Sequence, residues 1–202
     1  MNVTANRFST IAKCAKVSPG FPFRGAVDAL DPGPIAVIQM RNVDENGVDW
    51  PSLDRVSLPT KRKPDLLAEG DVIFTTRGRR NFALELNDIC HPAVCSTHFF
   101  VLRAKQPEDL LPAFLAWQIN QKPAQAYFQQ TATGSHILNI TRSAMEELPV
   151  AIPPVEVQHE IVALADAVRC ELSLITALME NRQRQLDAVA TQILTRKGSP
   201  ND

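Results

Sequence analysis

The chain has 202 residues, 45% of them hydrophobic and 21% charged, with a formal net charge of −1. That composition supports one packed domain plus an appendage and excludes disorder along the whole chain; the charge balance excludes a general attraction to polyanions but not a local basic face. No run of 18 apolar residues exists and the N-terminus lacks the basic start and apolar stretch of a secretion signal, so no membrane is expected, the chain should be cytoplasmic, and Cys14, Cys90, Cys95 and Cys170 should be reduced thiols.

The first 150 residues read as a mixed domain of short strands and turns. "PIAVIQM" at 34–40 is compact and β-branched, and Asn46-Gly47 after it is a hairpin signal. "GDVIFTTRG" at 70–78 is a second strand, entered through a Gly-Asp turn and left through a glycine. "STHFFVLRA" at 96–104 alternates well enough to be a third. Leu111, Phe114, Leu115 and Ile119 then recur at helical spacing, with Pro112 tolerable in a first turn, and Pro123 breaks the pattern. Two helices are expected, near 109–121 and 123–131. A glycine turn and "HILNI" follow, then a helical turn at 141–148 that Thr141 can cap, and the exit strand "PVAI".

From Val155 no helix breaker occurs until Gly198. Ile161, Val168, Ile175, Arg182 and Val189 repeat every seven residues, as do Ala165, Leu172, Met179, Leu186 and Ile193; four apart within a repeat and three apart across repeats, the two series make a heptad seam. A helix from Glu156 to Lys197 would be on the order of 60 Å long at about 1.5 Å per residue. A 150-residue domain has a radius of gyration of only roughly 15 Å, so the seam cannot all pack on its own domain and needs a partner helix; an ordinary terminal core helix fits that length poorly. The expected fold class is therefore α/β (α+β), with a mixed domain at 1–152 and a long coiled-coil helix at 155–197.

Enzyme motifs are missing. There is no G-x-G-x-x-G, G-x-x-x-x-G-K-[ST], H-E-x-x-H or G-x-S-x-G. The double proline Pro153-Pro154 is flanked by Ile152 and Val155, which can neither hold a target amine nor stack on a flipped base, so a base-methylating site is rejected. It reads instead as a stiff stop between strand and helix. Cys90, His91, Cys95 and His98 fall within nine residues, whereas structural zinc sites draw paired ligands from two separated knuckles; no metal and no cofactor are expected.

Basic residues carry the stronger signal. Between residues 55 and 80, Arg55, Lys61, Arg62, Lys63, Arg77, Arg79 and Arg80 face Asp65, Glu69 and Asp71, a local excess of four (seven minus three) in a chain of net −1. "TTRGRR" sets Thr75, Thr76, Arg77, Arg79 and Arg80 on a tight turn, where guanidiniums can pair bidentately with guanine edges or phosphates and threonines can meet phosphate or a thymine methyl. A solvated loop is the plain alternative. "TGSHILN" adds Ser135, His136 and Asn139 as donors or acceptors, and Gln39 and Arg41 near the hairpin are weaker candidates.

"LLAEGDVIFTTRGRRNFALEL", "PIAVIQMRNVDENGVDW" and the block from "LPAFLAWQIN" through "ATGSHILNI" to "IPPVEVQHEIV" together resemble the DNA-specificity subunits of Type I restriction-modification systems. Gln158 matches that family's exit motif, while Val157 stands where many members carry an acid. The resemblance implies a non-catalytic subunit. Family members usually hold two target-recognition domains, each followed by a long helix; the helices pair antiparallel and DNA adenine methyltransferase subunits dock around them. With one domain and one helix, this chain resembles a half-length form. It would homodimerise through the helix and read a split palindromic site on double-stranded DNA, the restriction subunit being a further partner. The dimer-helix residues are then Ile161, Val168, Leu172, Ile175, Met179, Leu186, Val189 and Ile193. The competing reading keeps the fold and makes the chain a scaffold or decoy for methyltransferase subunits without target reading.

Overall fold

A computed structural model describes residues 7–23, 33–58, 64–78, 81–132 and 138–195. In chain order the elements are β1 (Arg7–Thr10), α1 (Ile11–Cys14), β2 (Ala15–Pro19), β3 (Ile35–Ile38), β4 (Val43–Asp44), β5 (Gly47–Val48), β6 (Asp54–Val56), β7 (Val72–Thr75), β8 (Arg77–Gly78), β9 (Ala83–Glu85), β10 (Ala93–Cys95) and β11 (Phe99–Ala104). There follow α2 (Pro112–Asn120), α3 (Lys122–Thr131), β12 (Leu138–Asn139), α4 (Arg142–Glu147), β13 (Pro149–Ile152) and α5 (Val155–Thr195). Two compact units result, Met1–Val162 and Ala163–Asp202.

The first unit is layered about β7. Its strand "VIFT" is buried at every position, as in a strand covered on both faces. Val72 and Phe74 point into a core built with Phe114, Leu115, Ile119 and Phe128 of α2 and α3, the rings of Phe74 and Phe128 lying 5.1 Å apart. Ile73 points the other way, into a second core with Ile38, Leu86, Cys95 and Phe99. The period of two thus separates a helical layer from a β layer. The central sheet runs β2-β11-β7-β9, all antiparallel, and the second sheet runs β10-β3-β6, with β10 parallel to β3. Gly20 lies where the chain passes from one sheet to the other. Phe21 N–H donates to the Cys95 carbonyl at 2.7 Å, and a Cβ on Gly20 would stand 1.9 Å from the Ser96 carbonyl oxygen.

Local chemistry accounts for most element ends. Pro112 and Pro123 occupy first turns of α2 and α3, where a missing N–H costs nothing. Thr141 caps α4 by accepting the Ala144 N–H at 3.2 Å. At the β4–β5 hairpin the Asp44 carboxylate closes the turn, taking the N–H groups of Asn46 (2.7 Å) and Gly47 (3.1 Å). "PVAI" pairs with β1 as an antiparallel strand. Two strand expectations need correction. Residues 96–104 are not one strand: Ser96 to His98 form a turn after β10, and β11 begins at Phe99. Residues 70–78 likewise break at Thr76, and Arg77–Gly78 belongs to another ribbon.

Two buried polar groups brace this unit. Asp71, 1% exposed, takes Arg103 bidentately, Nε to Oδ1 and a terminal nitrogen to Oδ2, each at 2.6 Å, and also accepts the Ala68 N–H at 2.9 Å. These hydrogen bonds to Asp71, with its charge, raise the Arg103 pKa further above its already high value. Gln158, in the second turn of α5, is fully buried. Its Oε1 accepts the Leu111 N–H at 2.9 Å, and its Nε2 donates to the carbonyls of Asp109 and Pro153 at 2.8 Å each. With Ile161 and Val162 packed against the helical core, the start of α5 belongs to the domain.

Candidate nucleic-acid interface

Two polar turns that lie about sixty residues apart in sequence come together as one ribbon. β8 pairs antiparallel with β12, Gly78 opposite Leu138 and Arg77 opposite Asn139. The Ile140 N–H donates to the Thr76 carbonyl at 3.0 Å, and Arg77 Nε donates to Asn139 Oδ1 at 3.3 Å. This bond uses one of the five guanidinium N–H groups. The terminal nitrogens carry the fork that fits a guanine edge or a phosphate. Arg79, Arg80, Ser135 and His136 lie outside the described residues.

Thr75 and Thr76 are placed beneath the ribbon, only 1% and 5% exposed. The Thr75 hydroxyl accepts the Phe82 N–H at 2.9 Å, and its carbonyl accepts Asn81 Nδ2 at 2.6 Å. The Thr76 N–H and hydroxyl both donate to the His98 carbonyl, at 2.8 and 3.0 Å. Their hydroxyls are committed to shaping the bend between β7 and β8. That clamp brings the turn at Thr97 and His98, both exposed, beside the ribbon. The adjacency escaped sequence reading because it is made through a backbone carbonyl. Gln39 and Arg41 converge on Asp54: Gln39 Nε2 donates to its Oδ2 at 2.7 Å, and Arg41 forms an ion pair with the same oxygen. Of the basic stretch, Arg55 donates to the carbonyls of Gly33 and Pro34 and so holds the start of β3.

Cys95 faces the second core, and burial pushes its thiol up to about 12, far from any thiolate. Cys90, His91 and His98 are exposed. Among the described residues no group of three or more His, Cys, Asp or Glu side chains is placed to hold a metal ion.

Sequence reading also missed two amides of α2 that dock the helix on strand edges. Gln118 pairs both ways with Ala151, accepting its N–H at 2.6 Å and donating to its carbonyl at 3.1 Å. Asn120 does the same with Ala83, both bonds at 2.8 Å. The available signal was an alternation of amide and apolar residues in "WQINQ", which a helical-period search ignores. In the second unit, Val168, Leu172, Ile175, Met179, Leu186, Val189 and Ile193 are between 45% and 67% exposed. That is an apolar line, broken only at Arg182 between Ala165 and Ile193, on a helix of 41 residues.

Helices on one face of an antiparallel sheet, a second sheet on the other and a helix of coiled-coil length define a mixed α/β domain of modular type. The chain belongs to the Type I restriction modification DNA specificity domain family, whose model matches residues 29–181. Its fold is similar to that of the S subunit of a Type I restriction-modification system from M. genitalium, with 15% identity, a TM-score of 0.61, and coverage of 97% of this chain and 48% of that one. It is similar also to a chain from a structure of complex assembly and conformational transition of the type I R-M system (18%, TM-score 0.73, coverage 98% and 51%). A third is the HsdS subunit from Thermoanaerobacter tengcongensis (15%, TM-score 0.60, coverage 95% and 44%). The chain spans about half the length of these solved structures. No curated protein matches it. Among the described residues no helix is long and apolar enough to cross a membrane.

Proposed function

We propose that the chain is a DNA-reading specificity subunit of a Type I restriction-modification assembly. The ribbon of β8 and β12 is its contact surface, and α5 joins two copies. The carrying observation is the convergence of an exposed Arg77 and a half-buried Asn139, from distant segments, on one ribbon. Arg77 takes phosphate or guanine, and Asn139 orients it. Arg79, Arg80, Ser135 and His136 flank them in sequence and complete the contact set, with His98 beside it. Thr75 and Thr76 act from beneath by fixing the bend, and Gln39 and Arg41 are peripheral contacts. The chain supplies recognition and no catalysis. A two-fold dimer reads a split palindrome on double-stranded DNA, and DNA adenine methyltransferase subunits dock on the dimer and do the chemistry.

Selection of duplexes from a random pool, followed by competition between selected and scrambled sequences, tests this reading. The protein should prefer its selected duplex by 10³-fold or more, on the order of the ratio seen for specific DNA binders. Arg77→Ala should cost about 1–3 kcal/mol if it reads a base, or lower the salt slope by about one unit if it holds a phosphate. Equal binding to selected and scrambled duplexes would mean a scaffold that does not read DNA.

A further inference from the structure

Resting on the reading that α5 pairs two copies, we infer the register of that pair: antiparallel, with the two-fold axis at the level of Ala177 and Arg182 of each copy ion-paired with Glu171 of the other. The seam has one flaw, Arg182, at a position otherwise held by Ile161, Val168, Ile175 and Val189. What that arginine meets separates the possible arrangements. A parallel, in-register pair stacks Arg182 on its own copy inside the seam, two like charges with no acid beside them. Antiparallel packing instead sets one heptad series against the other, and only shifts by whole heptads keep both series inside.

Three such registers bury most of the seam. With the axis between residues 180 and 181, the two arginines face Met179 and stand roughly 4.5 Å apart along the axis, at about 1.5 Å per residue. Their repulsion disfavours it. With the axis between 173 and 174, Arg182 faces Ala165 beside Leu164, and Val189 and Ile193 lose their partners. With the axis at 177, Ala165 meets Val189, Val168 meets Leu186, Ile175 meets Met179 and Arg182 meets Leu172. Every seam residue from 165 to 189 is then covered, and the arginines stand roughly 15 Å apart.

The flank agrees with this choice. In that register Glu171 of the second copy lies one position from the level of Arg182, on the side of the seam that also carries Leu178 and Gln185. The Arg182 guanidinium is already turned to that side, donating to Gln185 Oε1 at 3.0 Å. Leu178 is 55% exposed although it lies outside the two heptad series. At the axis it packs on its own symmetry mate, which gives that exposed leucine a partner. The seam is thus self-complementary in size and in charge, and its occupant is a second copy of this chain.

Disulfide trapping reads the register directly. In the full chain with Cys14, Cys90 and Cys170 replaced by serine and the buried Cys95 kept, copies carrying Val168→Cys are mixed with copies carrying Leu186→Cys, Met179→Cys or Ile193→Cys and oxidised. A disulfide should form between 168 and 186 alone, because the bond tolerates Cα separations only up to about 7 Å. Trapping of 168 with 179, with 193 or with itself overturns the register, as does a chain that sediments as a dimer and traps none of these pairs. A chain that sediments as a monomer overturns the dimer reading itself. Arg182→Glu should weaken association about tenfold or more, and adding Glu171→Arg should restore it, since a pair in contact is non-additive. No rescue in a folded dimer overturns the ion pair.

Discussion

At the scale of single residues, Gln158 shows how a side chain outside the candidate interface braces the fold. Both of its N–H donors and its carbonyl are paired, to Asp109, Pro153 and Leu111, in a place with no solvent access. The side chain therefore fixes the loop that leads into α2 against Pro153 at the junction between β13 and α5. Glutamate at this position would keep the shape and lose the donors, facing two carbonyl oxygens with a carboxylate. Burial and those carbonyls would raise its folded-state pKa above the unfolded value of about 4.3. In the window above that value the unfolded chain holds fewer protons than the folded one, so stability falls as pH rises. Gln158→Glu should therefore lose about 2 kcal/mol or more at pH 7.5, the cost of unsatisfied buried polar groups, and the gap to the parent should narrow near pH 4.5. Urea midpoints of the two proteins at both pH values check this; a gap that widens at low pH would overturn the assignment.

Among the elements, the ones visible in sequence are those with a period or a stop signal. "PIAVIQM", the two proline-started helices, the Thr141 cap and the heptads of α5 all declare themselves through local chemistry, and each forms close to where the pattern places it. The ribbon of β8 and β12 could not be read. Two-residue strands have no period, and their pairing depends on a clamp of Thr76 on His98 that no spacing encodes. The same limit explains Thr75 and Thr76: hydroxyls before an arginine look like contact groups, and only the tertiary fold shows them bonded inward. The heptad element carries its own test. Ile175 and Met179 are adjacent layers of an exposed seam, where a partner would gain by covering them and a carboxylate would need an unpaired charge buried. Ile175→Asp with Met179→Asp should give a folded chain that sediments at the mass of one copy at concentrations where the parent sediments at two. An unchanged mass would remove the seam from the assembly.

For the whole molecule, the proposed DNA affinity has to come from a small patch and from repetition of that patch, because a net charge of −1 gives no general attractive field. With the ribbon as the proposed contact surface, each copy would offer only a few cations, so a single copy should bind a half-site weakly and with a shallow salt dependence. Joining two copies turns the second contact into an intramolecular one. For a linked pair that fits its site, the effective concentration is on the order of millimolar, and the gain in avidity can reach 10²–10⁴-fold. The salt slope should roughly double as well, because log K falls by about 0.9 per phosphate neutralised for each tenfold rise in salt, and a dimer would neutralise two sets. Three proteins separate these effects on a duplex carrying two selected half-sites. The parent should bind tightly with the steep slope. The Ile175→Asp, Met179→Asp chain should bind it about as a half-site, at least roughly 10²-fold more weakly and with about half the slope. Arg77→Ala should stay dimeric and lose affinity on full and half-sites alike. If the aspartate variant kept both the parent's affinity and its slope, recognition would reside in one copy, and the helix would serve some purpose other than joining two readers.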